Sequence, residues 1–238
     1  MRTAIFIRTY LRDMPYLEYC LRSIQKYAHG FHRTVVAVPE PEINHYMHLT
    51  VEKLIAVHDG KPGYLCQQAD KLNADIHCKE EDFIWYIDSD CVLTREVRPE
   101  EFLVNNKVRW LLTPWKDCPD SKKAWFHVMA KCVQECPQHE FMRRHGLMIP
   151  RWALVGFREF IQQTHGIDMP TYVMNQPGHE FSEFNAIGFW LWTYHRDKIH
   201  WHDTSIDGVP PCPIEQSWSW SPEGITQEHR NRMEILLA

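Results

Sequence analysis

Long hydrophobic runs are missing from this sequence. No segment of its 238 residues approaches the ~18 consecutive apolar positions of a membrane-crossing helix, so no membrane span is expected. The opening Met1-Arg2-Thr3-Ala4-Ile5-Phe6-Ile7 turns polar too soon for a signal peptide. Positive charge is not in excess: 26 Lys and Arg stand against 31 Asp and Glu, for a net charge of −5, which excludes a general polyanion binder. The eight cysteines contain no C-x-x-C pair. Free thiols in a reducing, cytoplasmic setting (of a bacterium, or of the host cell if the chain is phage-encoded) are therefore expected. Glycine is absent from Thr9-Tyr10-Leu11-Arg12-Asp13, where a phosphate-cradling loop would need it. No repeat, low-complexity tract or linker is visible, which predicts one domain over 1–238.

What is present is a proper core and many rings. Hydrophobic residues make up 44% of the chain, enough to exclude global disorder. Of the ten tryptophans, Trp190, Trp192, Trp201, Trp218 and Trp220 fall late. Core packing accounts for such residues, and a carbohydrate pocket, where sugar rings stack on aromatic faces, accounts for them too. Cys118, His127, Cys132, Cys136 and His139 cluster closely enough to consider Zn²⁺. Cys132 and Cys136, at i and i+4 of a predicted helix, read equally as small buried residues. Arg143-Arg144-His145, with Arg151 and Arg158, is the nearest thing to a basic patch, or a solvated helix face.

Periodicity predicts strands at 4–9, 34–38, 54–57, 83–87 and 108–113. Helices are predicted from Asp13 (an N-cap) and Pro15 to Ala28, over 42–53 and over 64–73. This alternation argues for a parallel-type α/β sheet with helices on both faces, whose ligands bind beyond the carboxyl ends of the strands. The second half reads as helical at 121–135, 150–163 and 180–194, with a late strand at 198–202 and a proline-bearing tail that is mostly loop.

One segment carries more information than the rest. Asp82-Phe83-Ile84-Trp85-Tyr86-Ile87-Asp88-Ser89-Asp90 is an apolar strand that ends in two carboxylates spaced i and i+2. On an extended chain they leave the same side. A hydrophobic strand gains nothing by ending so, but a site holding Mg²⁺ or Mn²⁺ against phosphate does, because both ions take hard oxygen ligands.

Together these residues resemble the GT-A fold of nucleotide-sugar glycosyltransferases, family 2-like or an uncharacterised glycosyltransferase-like family. Ile7-Arg8-Thr9-Tyr10 and Tyr16-Leu17-Glu18-Tyr19-Cys20-Leu21-Arg22-Ser23-Ile24 resemble its first strand and helix. Asp88-Ser89-Asp90 matches its DxD motif. Gly63 to Leu72 is similar to the helix before DxD, and Ser182-Glu183-Phe184 to a later "SE(Y/F)" segment. The likeness covers 1–115 and 178–205; the middle of the chain resembles nothing we can name.

The resemblance implies a Rossmann-like mixed sheet with helices on both faces. Residues 1–115 would bind the nucleotide-sugar, and 116–238 would form a helical acceptor-side and lid half. It implies Mn²⁺ or Mg²⁺ held by Asp90, with Asp88 sharing the metal or reaching the ribose, and His202 as a third ligand. Glu183 would be the general base of an inverting transfer, with Glu180 able to substitute. Arg8, Thr9 and Tyr10 would meet the base and ribose, Asp59 the base edge, and Lys71 a phosphate or donor hydroxyl. Trp218 and Trp220 would close over the donor. The donor is expected to be a nucleoside diphosphate sugar, UDP favoured. The acceptor is expected to be a hydroxyl on a glycan or, as in phage DNA-modifying transferases, on a hydroxymethylated base. A nucleotidyltransferase and a non-catalytic sugar-binding module are the competing readings.

Overall fold

Thr3–Arg8 (β1) is buried along its whole length, and so are residues 34–39 of Arg33–Pro39 (β2). Strands covered on both faces read as continuous apolar runs, which is why these two are plain in the sequence. The computed structural model describes residues 1–57, 63–119, 124–142, 146–217, 219 and 224–238. Between β1 and β2 lies Met14–Tyr27 (α1), with Tyr16, Leu17, Cys20, Ser23 and Ile24 buried at helical spacing. Lys53–Val57 (β3), Gly63–Leu72 (α2), Ala74–His77 (α3) and Phe83–Tyr86 (β4) follow. The main sheet runs β3-β2-β1-β4, all parallel, and closes with Met148–Pro150 (β9) antiparallel to β4. The molecule is thus mixed α/β. Its chain winds outward from β1 through β2 to β3, then crosses back to place β4 on the other side of β1. The crevice beyond the carboxyl ends of β1 and β4 is therefore a topological switch point, the usual ligand position in such sheets.

The predicted 108–113 strand does not join that sheet. Lys107–Pro114 (β7) instead pairs with Leu103–Val104 (β6), His139–Glu140 (β8) and, in parallel, His200–Asp203 (β10). The short Cys91–Leu93 (β5), directly after the acidic pair, is antiparallel to Ile214–Gln216 (β11). Two- and three-residue strands like β5, β8 and β9 are too short to show a period. The expected 42–53 helix is a 3-10 turn over Glu40–Tyr46, begun by extended Pro39 and stopping well short.

The helical half comprises Ala124–Val133 (α4), Arg151–His165 (α5), Met169–Met174 (α6), Glu183–Tyr194 (α7) and Thr204–Asp207 (α8). The tail holds a further helix, Gln227–Leu237 (α9), where loop was expected. Thr226 caps it in a box with His229, Tyr27 Oη donates to Leu236 O, and Arg22 binds Glu234 through two 2.8 Å bonds. Only Met233 of α9 is buried, so the segment lacks the apolar stripe that reveals a helix in sequence. By contrast Glu183 to Leu191 of α7 are all buried. At Gly188 an added Cβ would lie 2.6 Å from Phe141 Cβ and 3.1 Å from Trp110, so α7 seats directly on the second sheet. One buried core includes residues of both halves, and no helix among the described residues is long and apolar enough to cross a membrane.

At the amino end of the sheet, Glu81 is sealed from solvent and held by His32 Nδ1 at 2.7 Å and Arg33 Nε at 2.7 Å. Burial pushes its carboxyl up, but the bonds from Arg33 and His32 outweigh this and hold it below the ordinary glutamate value. The stability it contributes is complete above the unfolded value of about 4.3 and is lost as pH falls through the lower folded value. In urea titrations, the stability gap between the wild type and Glu81→Gln should be widest near pH 6 and narrow towards pH 3. A gap that does not change with pH would contradict this.

Candidate active site

β4 ends at Tyr86, one residue sooner than predicted and before either acid. Asp88, Ser89 and Asp90 lie in the turn that follows, with Cys91 N–H donating to Asp88 O at 3.0 Å. The i, i+2 strand geometry therefore does not apply, and the two carboxylates engage different partners. Asp88 Oδ1 lies 2.8 Å from Lys71 Nζ. Asp90 Oδ1 accepts from Gln216 Nε2 at 3.1 Å and Oδ2 from Ser219 N–H at 3.0 Å, while its carbonyl accepts from Ser217 N–H at 2.8 Å. Both acids still face one cleft of about 900 Å³ at the β1/β4 switch point. It is lined by Tyr10, Arg12 and Asp13 after β1, Glu42 after β2, Tyr64 and Gln67 of α2, and His179 before α7. Asp88, Ser89, Asp90, Gln216 and Ser219 complete the wall.

Among the described residues the cleft lining is acidic: Asp13, Glu42, Asp88 and Asp90 face it together with Arg12, whose Nε lies 3.4 Å from Asp13 Oδ1. Burial raises the Asp13 carboxyl above its ordinary value against the pull of Arg12 and a bond from Ser219. The charges of Asp90 and Asp88 raise it further. The sequence reads Asp13 as an N-cap, but its side chain makes no capping bond and lines the cleft instead.

Lys71 sits behind Asp88, on α2, and its ammonium also lies 3.1 Å from Glu183 Oε1 at the start of α7. Burial alone would lower its pKa; the Asp88 and Glu183 carboxylates outweigh that and raise it, so the ammonium stays charged. For Glu183, burial raises the carboxyl and Lys71 opposes. Its side chain is 2% exposed, and it lies behind Lys71 and not on the cleft wall. Glu180 is exposed, in the turn closed by its own N–H to Pro177 O.

The β1-end residues divide. Tyr10 lines the cleft, and its hydroxyl donates to Gly63 O. Arg8 is fully buried beneath it, with its guanidinium 4.2 Å from the Tyr10 ring centre and Nε 2.6 Å from Asp70 Oδ2. Thr9 is buried, its N–H bonded to Ala37 O at 3.0 Å. Arg8 and Thr9 are thus buried and are not among the residues that line the cleft.

His202 is not among the residues that line the cleft. It lies on β10 opposite Leu111, and its Nε2 sits 2.8 Å from Gly208 O. Strand β10 belongs to the second sheet, whereas the acids follow the main one. Among the described residues no three His, Cys, Asp or Glu side chains gather closely enough to hold a metal, and this also leaves the Cys118/Cys132/Cys136 set without a zinc geometry. Cys118 Sγ faces the Pro114 carbonyl at 3.4 Å, burial pushes the Cys132 thiol up to about 12, and Cys136 is exposed. Asp59, Trp218, Trp220 and the Arg143-Arg144-His145 patch lie outside the described residues. Of the flanking arginines, Arg158 is forked onto Asp75 at 2.9 and 2.6 Å, and Arg151 Nε donates to the Glu81 carbonyl at 3.1 Å.

Sequence reasoning missed Tyr64, Gln67, His179, Gln216 and Ser219. Tyr64 and His179 form an aromatic rim, ring centres 4.7 Å apart, with Tyr64 Oη donating to Phe181 O at 2.8 Å and Trp125 Nε1 donating to His179 O at 3.2 Å. No spacing pattern announces residues brought from such separate segments. No protein-family model and no curated protein matches the sequence.

Proposed function

We propose that this chain is a metal-dependent glycosyltransferase that moves a sugar from a nucleoside diphosphate sugar, UDP favoured, to a hydroxyl acceptor. The observation that supports it most is the acidic cleft at the β1/β4 switch point, whose nearest buried ammonium is already paired with two carboxylates. A diphosphate meets net negative charge from the described lining residues unless a divalent cation accompanies it. The donor set suits one: Mg²⁺ is commonly held by one or two carboxylates and completes its shell with phosphate oxygens and water, and Mn²⁺ accepts the same hard ligands. Asp88 and Asp90 would hold it. The cation would supply Lewis-acid stabilisation of the departing diphosphate.

The remaining roles fall to residues of the cleft. Tyr10, Tyr64 and His179 offer ring faces to base or sugar. Gln216, Ser217 and Ser219 brace Asp90. Proton removal from the acceptor needs a base within hydrogen-bond reach. Of the two acids assigned to it, Glu180 is the exposed one, adjacent to cleft-lining His179.

Thermal melting with nucleoside diphosphates, with and without Mn²⁺ or Mg²⁺, tests the reading. A ligand at 100 times its Kd stabilises by ~2.7 kcal/mol, a rise of roughly 5–10 °C for a chain of this size. The rise should require the cation. No shift with any nucleotide would remove the proposal, and slow Mn²⁺-dependent hydrolysis of a sugar donor would separate an enzyme from a sugar-binding module.

A further inference from the structure

We infer that Glu183 is a positioning residue, acting through Lys71 to aim the Asp88 carboxylate into the cleft; this rests on the functional reading above. Three elements meet at one ammonium. Lys71 Nζ, on α2, is 2.8 Å from Asp88 Oδ1 in the turn after β4 and 3.1 Å from Glu183 Oε1 at the first residue of α7. The ammonium also lies 5.1 Å from the Phe184 ring centre. Side-chain exposure grades along the line: 2% for Glu183, 6% for Lys71 and 27% for Asp88. The trio therefore runs from the interior to the cleft wall, and only its outer member lines the cleft.

The inner end is fixed twice. Gln68 stands one turn before Lys71 on the same face of α2. Its Oε1 accepts from the Glu183 N–H at 3.1 Å, so α2 grips both the backbone and the carboxylate of α7's first residue. Ser182 caps the same turn. Shared between two carboxylates, the Lys71 ammonium is held at one point, and so is the Asp88 oxygen it touches. A group that took the acceptor's proton would have to reach the acceptor, and Glu183 is walled off by Lys71. What it does reach is the partner of a proposed cation ligand. Removing its charge leaves the ammonium to Asp88 alone, which competes directly with a cation for that carboxylate.

The test is binding, not turnover. Glu183→Gln keeps the side-chain shape and removes the charge. Calorimetric titration with Mn²⁺ alone and with Mn²⁺ plus UDP should show affinity about 10–100-fold weaker than wild type, the range for losing a partner of a metal ligand, with the melting temperature recorded alongside. A base that acts only on the acceptor would leave these affinities unchanged and lower kcat alone. Glu183→Gln binding as tightly as wild type overturns the inference while leaving the functional reading intact. Wild type that binds neither Mn²⁺ nor Mn²⁺ with UDP overturns both. Should Glu183→Gln unfold, Glu183→Asp, which keeps the charge but withdraws it from the Lys71 ammonium by one methylene, is titrated in its place. It too should bind more weakly, and wild-type affinity in it overturns the inference equally.

Discussion

Asp90→Asn should abolish the cation-dependent thermal shift with nucleoside diphosphate and lower transfer or donor hydrolysis by at least about 100-fold, beyond what loss of a mere supporting partner costs. The amide keeps the volume and an acceptor oxygen, so the bond from Ser219 N–H can persist. The charge that would hold the cation does not. Asp90→Ala should lose the same shift and also stability, because it leaves the Ser219 N–H and the Gln216 amide without their acceptors, at about 1–3 kcal/mol for each such group that stays buried. The two variants together separate the charge from the bracing of the tail. A Mn²⁺-dependent shift that survives in Asp90→Asn at wild-type size would remove Asp90 from the site.

The largest stability effect should come from beneath the cleft. Arg8 is fully buried, and its guanidinium meets the Asp70 carboxylate at 2.6 Å. Asp70→Ala leaves that charge uncompensated. Breaking a buried pair from one side costs about 3–5 kcal/mol, a fall in melting temperature of roughly 6–20 °C for a chain of this length. Stability totals only about 5–15 kcal/mol in most domains, so the variant approaches the unfolding threshold. Replacing both partners by apolar groups, Arg8→Met with Asp70→Leu, should recover most of the loss, since desolvating two charges is itself expensive. Equal melting temperatures for wild type and Asp70→Ala would show the pair contributes nothing. A functional trace is expected as well: Arg8 supports the Tyr10 ring from below, so the double variant should bind nucleotide more weakly even when stable.

Several elements were legible because their signals are local. β1, β2 and β4 are buried on both faces and read as unbroken apolar runs, and α1 announces itself by its buried stripe. The acids at 88 and 90 stood out because an apolar strand ended in them, and they do face a cleft at the switch point. Other features left no such trace. The α9 helix is mostly exposed and carries no apolar stripe. β5 and β9 are three residues each. His202 suited a third-ligand role by residue type, yet it lies on β10, paired with β7, and is not among the residues that line the cleft with the acids.

By itself, then, the sequence determined the α/β alternation, a buried core and the pair of acids that follows the fourth strand, since each depends on neighbours a few residues apart. Tertiary structure decided which groups share the cleft. Asp90 is bonded to residues 126 and 129 positions away, Asp13 holds the N-cap position of its helix but turns its side chain to the cleft without a capping bond, and Glu183 is turned inward onto Lys71. Such pairings are selected by the global packing of strands and helices, and packing at that range imposes no period on the chain.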